Sequence, residues 1–206
     1  MLIKRIPVGS MGVNCYIFGS RSECIVLDPG GNIEMIHAYI KDQGLSVKYI
    51  VLTHCHFDHI LAAQSLKDKT NAQIVACSAE KENLKNSCIN MTGRFTRVPF
   101  GLDADWYVSE GDIISSGEYE FSVIETPGHT SGSMCIYCAS ENVLFSGDTL
   151  FCGSIGRSDF PTGDYNMLIS SIRTKLYSLP EHTKVFPGHE SETTIEREKK
   201  HNPFTI

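Results

Sequence analysis

Short apolar runs rich in β-branched residues recur along the chain, and turn-forming residues separate them, which is typical of strands. The nine predicted strands cover residues 2–8, 13–18, 24–27, 47–52, 73–76, 119–124, 134–138, 143–145 and 184–186. Only turn-length segments separate the first three runs. The pattern therefore predicts an antiparallel meander in the N-terminal part of the chain.

Apolar positions spaced three and four residues apart lie between these strands and predict helices. The predicted helices cover 33–40, 58–67, a segment that begins near 78, the range 164–179 and a last segment that begins at 193. In that last segment Thr193 and Glu196 have the spacing of a capping box, and the helix must end before Pro203. Strands and helices interleaved in this way, without a repeat or a linker, predict a layered α/β protein in which residues 1–206 form a single domain.

Composition and charge exclude several classes of function. The 206 residues are 41% hydrophobic and 20% charged, which suits a globular protein with a sizeable core. The formal net charge is −6, and lysine and arginine do not cluster. A protein that binds the phosphate backbone of a nucleic acid needs the opposite balance, so we expect no nucleic-acid partner.

The sequence also indicates a compartment. The N-terminal stretch MLIKRIPVGSMG lacks the apolar core of a secretory signal, and no run approaches the roughly 20 apolar residues that cross a bilayer. We therefore expect a cytoplasmic protein without a membrane partner, whose eight cysteines are reduced. Cys135 and Cys138 form the one CxxC pair, but positions three apart in a strand face opposite ways, which favours a structural role.

The stretch THCHFDH at 53–59 follows the apolar run of the fourth strand and has no explanation in packing alone. His54 and His56 are two apart in an extended segment, so their side chains leave the same side of the chain. Asp58 and His59 come next, where a helix begins, and their side chains can reach a second metal position beside the first. Because imidazoles and carboxylates this close are costly without a cation, the spacing predicts two metal positions.

Three further strands end in a candidate ligand. His129 and His189 each follow a Pro-Gly turn, and Asp148 follows a glycine at the end of its strand. Taken singly, each segment is more often an ordinary turn than a metal ligand. Loops at the ends of strands can meet at one rim of a rigid sheet, so together with the THCHFDH stretch these residues predict metal binding.

The chain resembles the metallo-β-lactamase-fold hydrolases, and within them the glyoxalase II-like (hydroxyacylglutathione hydrolase-like) branch. The motifs that carry the resemblance are VLDPGG, THCHFDH, TPGHTSGS, SGDTLF, GRSDFPTGD, FPGHE and TTIEREKKHNPF. The resemblance implies an αββα four-layer sandwich of two mixed sheets with helices outside and metals at one edge. It also implies two divalent ions, with zinc expected before iron or manganese.

The resemblance further implies how the ligands divide. His54, His56 and His129 would hold the first metal, Asp58, His59 and His189 the second, and Asp148 would bridge them. A hydroxide between the metals would then attack the carbonyl carbon of a thioester such as S-D-lactoylglutathione, a small-molecule substrate. The alternatives are a persulfide dioxygenase with a single iron, and a lactonase or other ester hydrolase on the same scaffold.

Several roles stay open at the level of the sequence. Asp58 is a candidate ligand and also a candidate proton acceptor for the attacking water. Asp28 either orients a ligand histidine or only starts a turn. Arg157 stands where related glyoxalase II enzymes carry a lysine for the thiol conjugate, so it is a candidate substrate-binding residue, and pairing with Asp159 is the competing interpretation.

Overall fold

Two six-stranded mixed sheets form the centre of the fold. The computed structural model describes residues 1–206. The first sheet runs, in spatial order, through β1 (Leu2–Val8), β2 (Val13–Gly19), β3 (Glu23–Leu27), β4 (Ser46–Leu52), β5 (Gln73–Cys77) and β6 (Trp106–Val108). Its first three strands are antiparallel, and β3 to β6 are parallel.

The second sheet is built from the C-terminal half of the chain. Its spatial order is β14 (Thr193–Thr194), β13 (Lys184–Pro187), β10 (Val143–Gly147), β9 (Met134–Cys138), β8 (Tyr119–Glu125) and β7 (Ile113–Ser116). Strands β10 and β13 are parallel, and the other pairs are antiparallel. A separate two-stranded ribbon consists of β11 (Leu150–Phe151) and β12 (Ser154–Ile155).

Helices cover the outer faces of both sheets. They are α1 (Ile33–Asp42), α2 (Phe57–Ile60), α3 (Ala63–Thr70), α4 (Lys81–Lys85), α5 (Thr92–Phe95), α6 (Tyr165–Thr174) and α7 (Ile195–His201), with 3₁₀ turns at Ser78–Glu80 and Leu176–Ser178. Buried residues of α1 and α3 pack on the first sheet, and those of α6 and α7 pack on the second. The predicted αββα four-layer sandwich is confirmed. None of these helices combines the length and the apolar character that crossing a membrane requires.

Alternation along the strands gives each sheet two apolar faces. In β2, Cys15 and Ile17 belong to the core under the helices, while Tyr16 and Phe18 belong to the core between the sheets. The same alternation separates Cys135 from Cys138, which lie in different cores, as the sequence predicts. Successive side chains of a strand point to opposite faces, so a strand buried on both sides reads as a continuous apolar run.

An aromatic cluster joins the two sheets. The ring of Phe18, on the first sheet, makes edge-to-face contacts with Tyr119, Phe121 and Phe145, on the second, at centroid distances of 5.0, 5.2 and 5.7 Å. Such contacts combine a large buried area with a favourable ring geometry. They fix the spacing of the sheets, and with it the positions of the strand ends that carry the candidate ligands.

All nine predicted strands and the N-terminal meander are confirmed. The sequence did not predict the strands β6, β7, β11, β12 and β14 or the helix α5. These elements have two to four residues each, too few to show a periodicity. Of these, β6, β7 and β14 form at the edge of a longer strand that supplies their hydrogen bonds.

The single helix predicted over 58–67 is wrong, because the structure has two short helices with Leu61 and Ala62 between them. The amide of Ala62 donates to the carbonyl of Pro29, 2.9 Å away, instead of to a carbonyl one turn back. Gly30 approaches the carbonyl of Asp58 so closely that a Cβ would collide with it. A hydrogen bond to a distant loop thus takes the place of one that would continue the helix.

The predicted capping box at Thr193 is also wrong by one residue. Thr194 is the N-cap of α7, and its hydroxyl accepts from the amide of Arg197 at 3.2 Å. Thr193 instead pairs in β14 and donates its hydroxyl to buried Glu198 at 2.6 Å. The strand pairing therefore moves the start of the helix.

The variant Phe18→Ala should lose about 3–5 kcal/mol of unfolding free energy, because it removes a fully buried ring from the interface of the sheets. Urea unfolding of the variant and the parent protein measures this. The matched control is Phe204→Ala, since that ring is 45% exposed. Equal losses in the two variants would contradict the role given to the interface.

Candidate metal centre

All seven predicted ligands lie at the same end of the two sheets. His54 and His56 follow β4, and Asp58 and His59 begin the short helix after them. The other three, His129, Asp148 and His189, follow β8, β10 and β13. These three strands run in the same direction within the second sheet, so their carboxyl ends meet at one edge.

Three imidazoles form what we call the first trio: His54, His56 and His129. Their ring nitrogens lie within 4.8 Å of one another. His129 Nε2 is 2.9 Å from His56 Nδ1 and 3.2 Å from His54 Nε2. All three residues are buried. Three buried imidazoles whose nitrogens converge in this way suit a divalent cation.

Asp58, His59 and His189 form what we call the second trio, whose ligand atoms also lie within 4.8 Å of one another. Asp148 lies between the two trios. Its carboxylate oxygens are 3.4 Å from His59 Nε2, 3.5 Å from His189 Nε2 and 3.7 Å from His129 Nε2. One carboxylate thus faces ligands of both trios.

Asp28 orients two of these histidines. Its Oδ2 is 3.0 Å from His59 Nδ1 and accepts from the hydroxyl of Thr53 at 2.7 Å. Because that hydroxyl donates to Asp28, its oxygen accepts from His54 Nδ1, 3.1 Å away. The Nδ1–H of both imidazoles is thereby occupied, and Nε2 faces the centre. Asp28 therefore contacts a candidate ligand histidine, which favours the orienting interpretation.

A backbone carbonyl orients His129 in the same manner. His129 Nδ1 donates to the carbonyl oxygen of Arg157 at 2.6 Å, which leaves Nε2 free to act as a ligand. The side chain of Arg157 makes two hydrogen bonds to Asp159, at 2.7 and 2.9 Å. The structure thus shows the ion pair that the sequence left as one of two interpretations.

The backbone approaches the centre at a glycine. A Cβ on Gly188 would collide with Asp148 Oδ1 and lie 2.8 Å from His59 Cε1. Any side chain there would displace the carboxylate that faces both trios. The glycine of the second Pro-Gly turn is thus required by close approach.

The two trios differ in their electrostatics. Burial lowers the pKa of His56, and the neighbouring His129 and His59 bring it to about 3. For His59 burial also disfavours the charged form, but the three surrounding carboxylates outweigh it and raise the pKa to about 10. Burial alone would raise the pKa of Asp58, yet His59 and His189 lower it to about 2. The surroundings of the second trio are therefore more negatively charged than those of the first trio, because the carboxylates lie around His59.

Two buried atoms at the centre lack hydrogen-bond partners and are suitable ligands for a cation. His59 Nε2 and Asp148 Oδ1 are 3.4 Å apart, and neither has a hydrogen-bond partner. Leaving such atoms unsatisfied costs about 1–3 kcal/mol each. A cation coordinated by both would remove that cost, and the imidazole and carboxylate donors are ligands that zinc, iron and manganese accept.

Glu80 is a buried carboxyl group next to the centre that the sequence analysis missed. It accepts hydrogen bonds from the hydroxyl of Thr130, beside His129, and from Asn83. It also lies against Cys55, between His54 and His56, and together with burial it raises the pKa of that thiol. Glu80 therefore connects the two loops of the first trio, and the raised pKa of Cys55 favours the protonated thiol over the nucleophilic thiolate. No local pattern identifies a lone glutamate of this kind.

The sequence comparisons agree with this geometry. Residues 8–189 match the family described as the metallo-beta-lactamase superfamily. The chain is 37% identical to the probable metallo-hydrolase YqgX of Bacillus subtilis, with 98% of this chain and 96% of that protein covered. It is 38% identical to the hydroxyacylglutathione hydrolase GloC of Haemophilus influenzae, with 99% and 98% covered.

Solved structures match over the same length. The BLEG-1 B3 metallo-beta-lactamase superposes with a TM-score of 0.94 at 38% identity and 99% coverage of both chains. TTHA1623, determined in a di-iron-bound form, superposes with a TM-score of 0.88 at 30% identity, covering 98% of this chain and 99% of that one.

The variant Asp28→Asn should weaken metal binding about 10–100-fold, because an amide nitrogen would face the donors Thr53 and His59. Competition with a chromophoric chelator measures the affinity. Asp42→Asn, on an exposed residue of α1, is the matched control. Unchanged affinity in Asp28→Asn would contradict the orienting role.

Metal binding should release protons from the second trio. At neutral pH a cation must displace the proton of His59, whose pKa is about 10, whereas His56, with a pKa of about 3, is already neutral. Raising the pH towards 10 removes this competition and should tighten the affinity of the second trio, by up to about tenfold per pH unit.

Calorimetry at pH 7.5 in buffers of different ionisation enthalpy counts the protons released. The variant His59→Gln should release about one proton fewer than the parent protein. The variant His37→Gln, outside the centre, should release the same number as the parent. Identical release from all three proteins would contradict the assignment.

Proposed function

This chain belongs to the metallo-β-lactamase superfamily, and we propose that it is a hydrolase dependent on two divalent cations that cleaves thioesters. The observation that carries the proposal is the pair of trios with Asp148 between them. Each trio offers three ligand atoms within 4.8 Å of one another, so the chain provides donors for two cations. The relative in a di-iron-bound form supports the same reading.

We assign the ligands as follows. His54, His56 and His129 would hold the first cation, Asp58, His59 and His189 would hold the second, and Asp148 would contact both. Zinc is our first expectation, and the donor set accepts iron and manganese as well. When bound, such a pair of cations lowers the pKa of water and polarises a carbonyl oxygen.

The residues of the chain supply orientation and a proton acceptor. Asp28 and the carbonyl of Arg157 hold the ring nitrogens of three ligands towards the centre. Asp58 is ionised at neutral pH, because its pKa is about 2. A carboxylate oxygen of Asp58 accepts a proton from the attacking water, in addition to its role as a ligand.

The choice of a thioester rests on the relative named hydroxyacylglutathione hydrolase, which is 38% identical over nearly the whole chain. S-D-lactoylglutathione is therefore the first substrate to examine. Recognition of a small molecule also agrees with the net charge of −6, which disfavours a nucleic-acid substrate.

Metal-loaded protein should release thiol from S-D-lactoylglutathione, as followed with a thiol reagent. Treatment with a chelator should abolish the activity, and added metal should restore it. Asp58→Asn should lower kcat by about 10²–10⁴-fold, because it removes a carboxylate that we assign both as a ligand and as the proton acceptor, and the metal content of the variant separates the two roles. The control His37→Ala should keep the activity of the parent protein.

Other outcomes would point to the rival functions. Oxygen uptake with a persulfide, together with one tightly bound iron per chain, would favour a dioxygenase. Turnover of lactones in place of thioesters would favour a lactonase. Either result, with no thiol release from any thioester, would refute the proposed function.

A further inference from the structure

A small cavity of about 210 Å³ opens beside the candidate ligands. One side of it consists of His56, Asp58, His129 and His189. The rest is an apolar wall formed by Met11, Phe57, Met91, Phe95 and Phe160, with Arg157 at its margin. The cavity is smaller than the roughly 300–1,000 Å³ of pockets that enclose whole drug-sized ligands. It has room for one of the two groups that flank the scissile bond, on the acyl side or on the thiol side, and not for a whole substrate.

Two members of the apolar wall are exposed in a way that a purely structural role does not explain. Met11 is 56% exposed and Phe95 is 51% exposed. Phe95 stacks on Phe57 with ring centroids 4.7 Å apart and an angle of 15°. Exposed large apolar side chains grouped around a cavity mark a binding surface.

The segment that carries Phe95 is held in place by buried polar groups. Asn90 donates to the carbonyls of Leu84 and Phe100 at 2.8 and 3.0 Å. The hydroxyl of Thr92 donates to the same carbonyl of Phe100 at 2.7 Å. These contacts fix both ends of the segment, so the apolar wall is formed before a ligand arrives.

Away from the candidate ligands, the cavity offers no free positive charge to an anionic or strongly polar group. Arg157 is its one cationic side chain apart from the candidate ligands. The guanidinium is held by both oxygens of Asp159 and stacks on Phe160, with Cζ 4.1 Å from the ring centroid. Its charge is therefore balanced, and its flat face adds to the apolar surroundings.

We propose that the substrate carries an alkyl or aryl group next to the scissile thioester, that this group packs on the apolar wall, and that Phe95 determines the preference for it. The inference rests on the proposed function. The apolar wall can bind a group on the acyl side or on the thiol side of the scissile bond. The test therefore has two arms, one that varies the acyl group and one that varies the thiol.

In the first arm the acyl chain of glutathione thioesters is lengthened from acetyl to octanoyl. In the second, acetyl thioesters of ethanethiol, butanethiol and benzyl mercaptan are compared. In one arm kcat/KM should rise up to about fourfold per buried methylene until the cavity is full. The arm that responds identifies the flank that binds.

The variant Phe95→Ala should reduce this dependence on chain length, with the change appearing mainly in KM. The matched control is Phe204→Ala, an aromatic truncation at a 45% exposed ring outside the cavity, which should keep the dependence. Calorimetric binding of unreactive S-alkyl thioethers to the metal-loaded protein provides a second readout that does not require turnover.

The outcomes separate the two proposals. Turnover with no preference for apolar groups in either arm would overturn the inference and leave the proposed function standing. Absence of turnover with tighter binding of longer thioethers would refute the proposed function and support the apolar subsite. A length dependence that Phe95→Ala leaves intact would overturn the role of Phe95.

Discussion

The constraint on which the rest depends is the crowding of buried imidazoles and carboxylates into one space. Nitrogens of the buried residues His56 and His129 lie 2.9 Å apart, an arrangement that is costly unless each ring presents the right atom. Asp28 and Thr53 fix the ring orientation on one side of this centre, and the carbonyl of Arg157 does so on the other. The centre is thus prepared by hydrogen bonds made outside it.

This arrangement needs a rigid scaffold. The candidate ligands follow four strands in two sheets, and each trio has members from both sheets, so a shift of one sheet against the other would pull each trio apart. The aromatic contacts of Phe18 across the interface resist such a shift. Close approaches, such as that of Gly188 to Asp148, then set the final positions. The aromatic packing between the sheets therefore helps to set the distances among the candidate ligands.

The proposed chemistry and the proposed selectivity come from different parts of the molecule. Phe57 of the apolar wall lies between the candidate ligands His56 and Asp58, whereas Met11, Met91 and Phe95 belong to segments that contribute no candidate ligand. Residues of these segments can therefore be substituted without altering the candidate ligands. Related proteins with the same ligands can in this way act on different substrates.

The sequence by itself determined the long strands, the main helices and the cluster around His54, because periodicity and spacing are local properties of the chain. It also supplied His129, Asp148 and His189 as candidates, since each follows a strand. Only the tertiary structure decided that these groups meet, that Asp28 contacts His59 directly and His54 through Thr53, and that the helix after His59 breaks at Leu61 and Ala62. Each of these outcomes depends on contacts between residues far apart along the chain, and local periodicity carries no record of them.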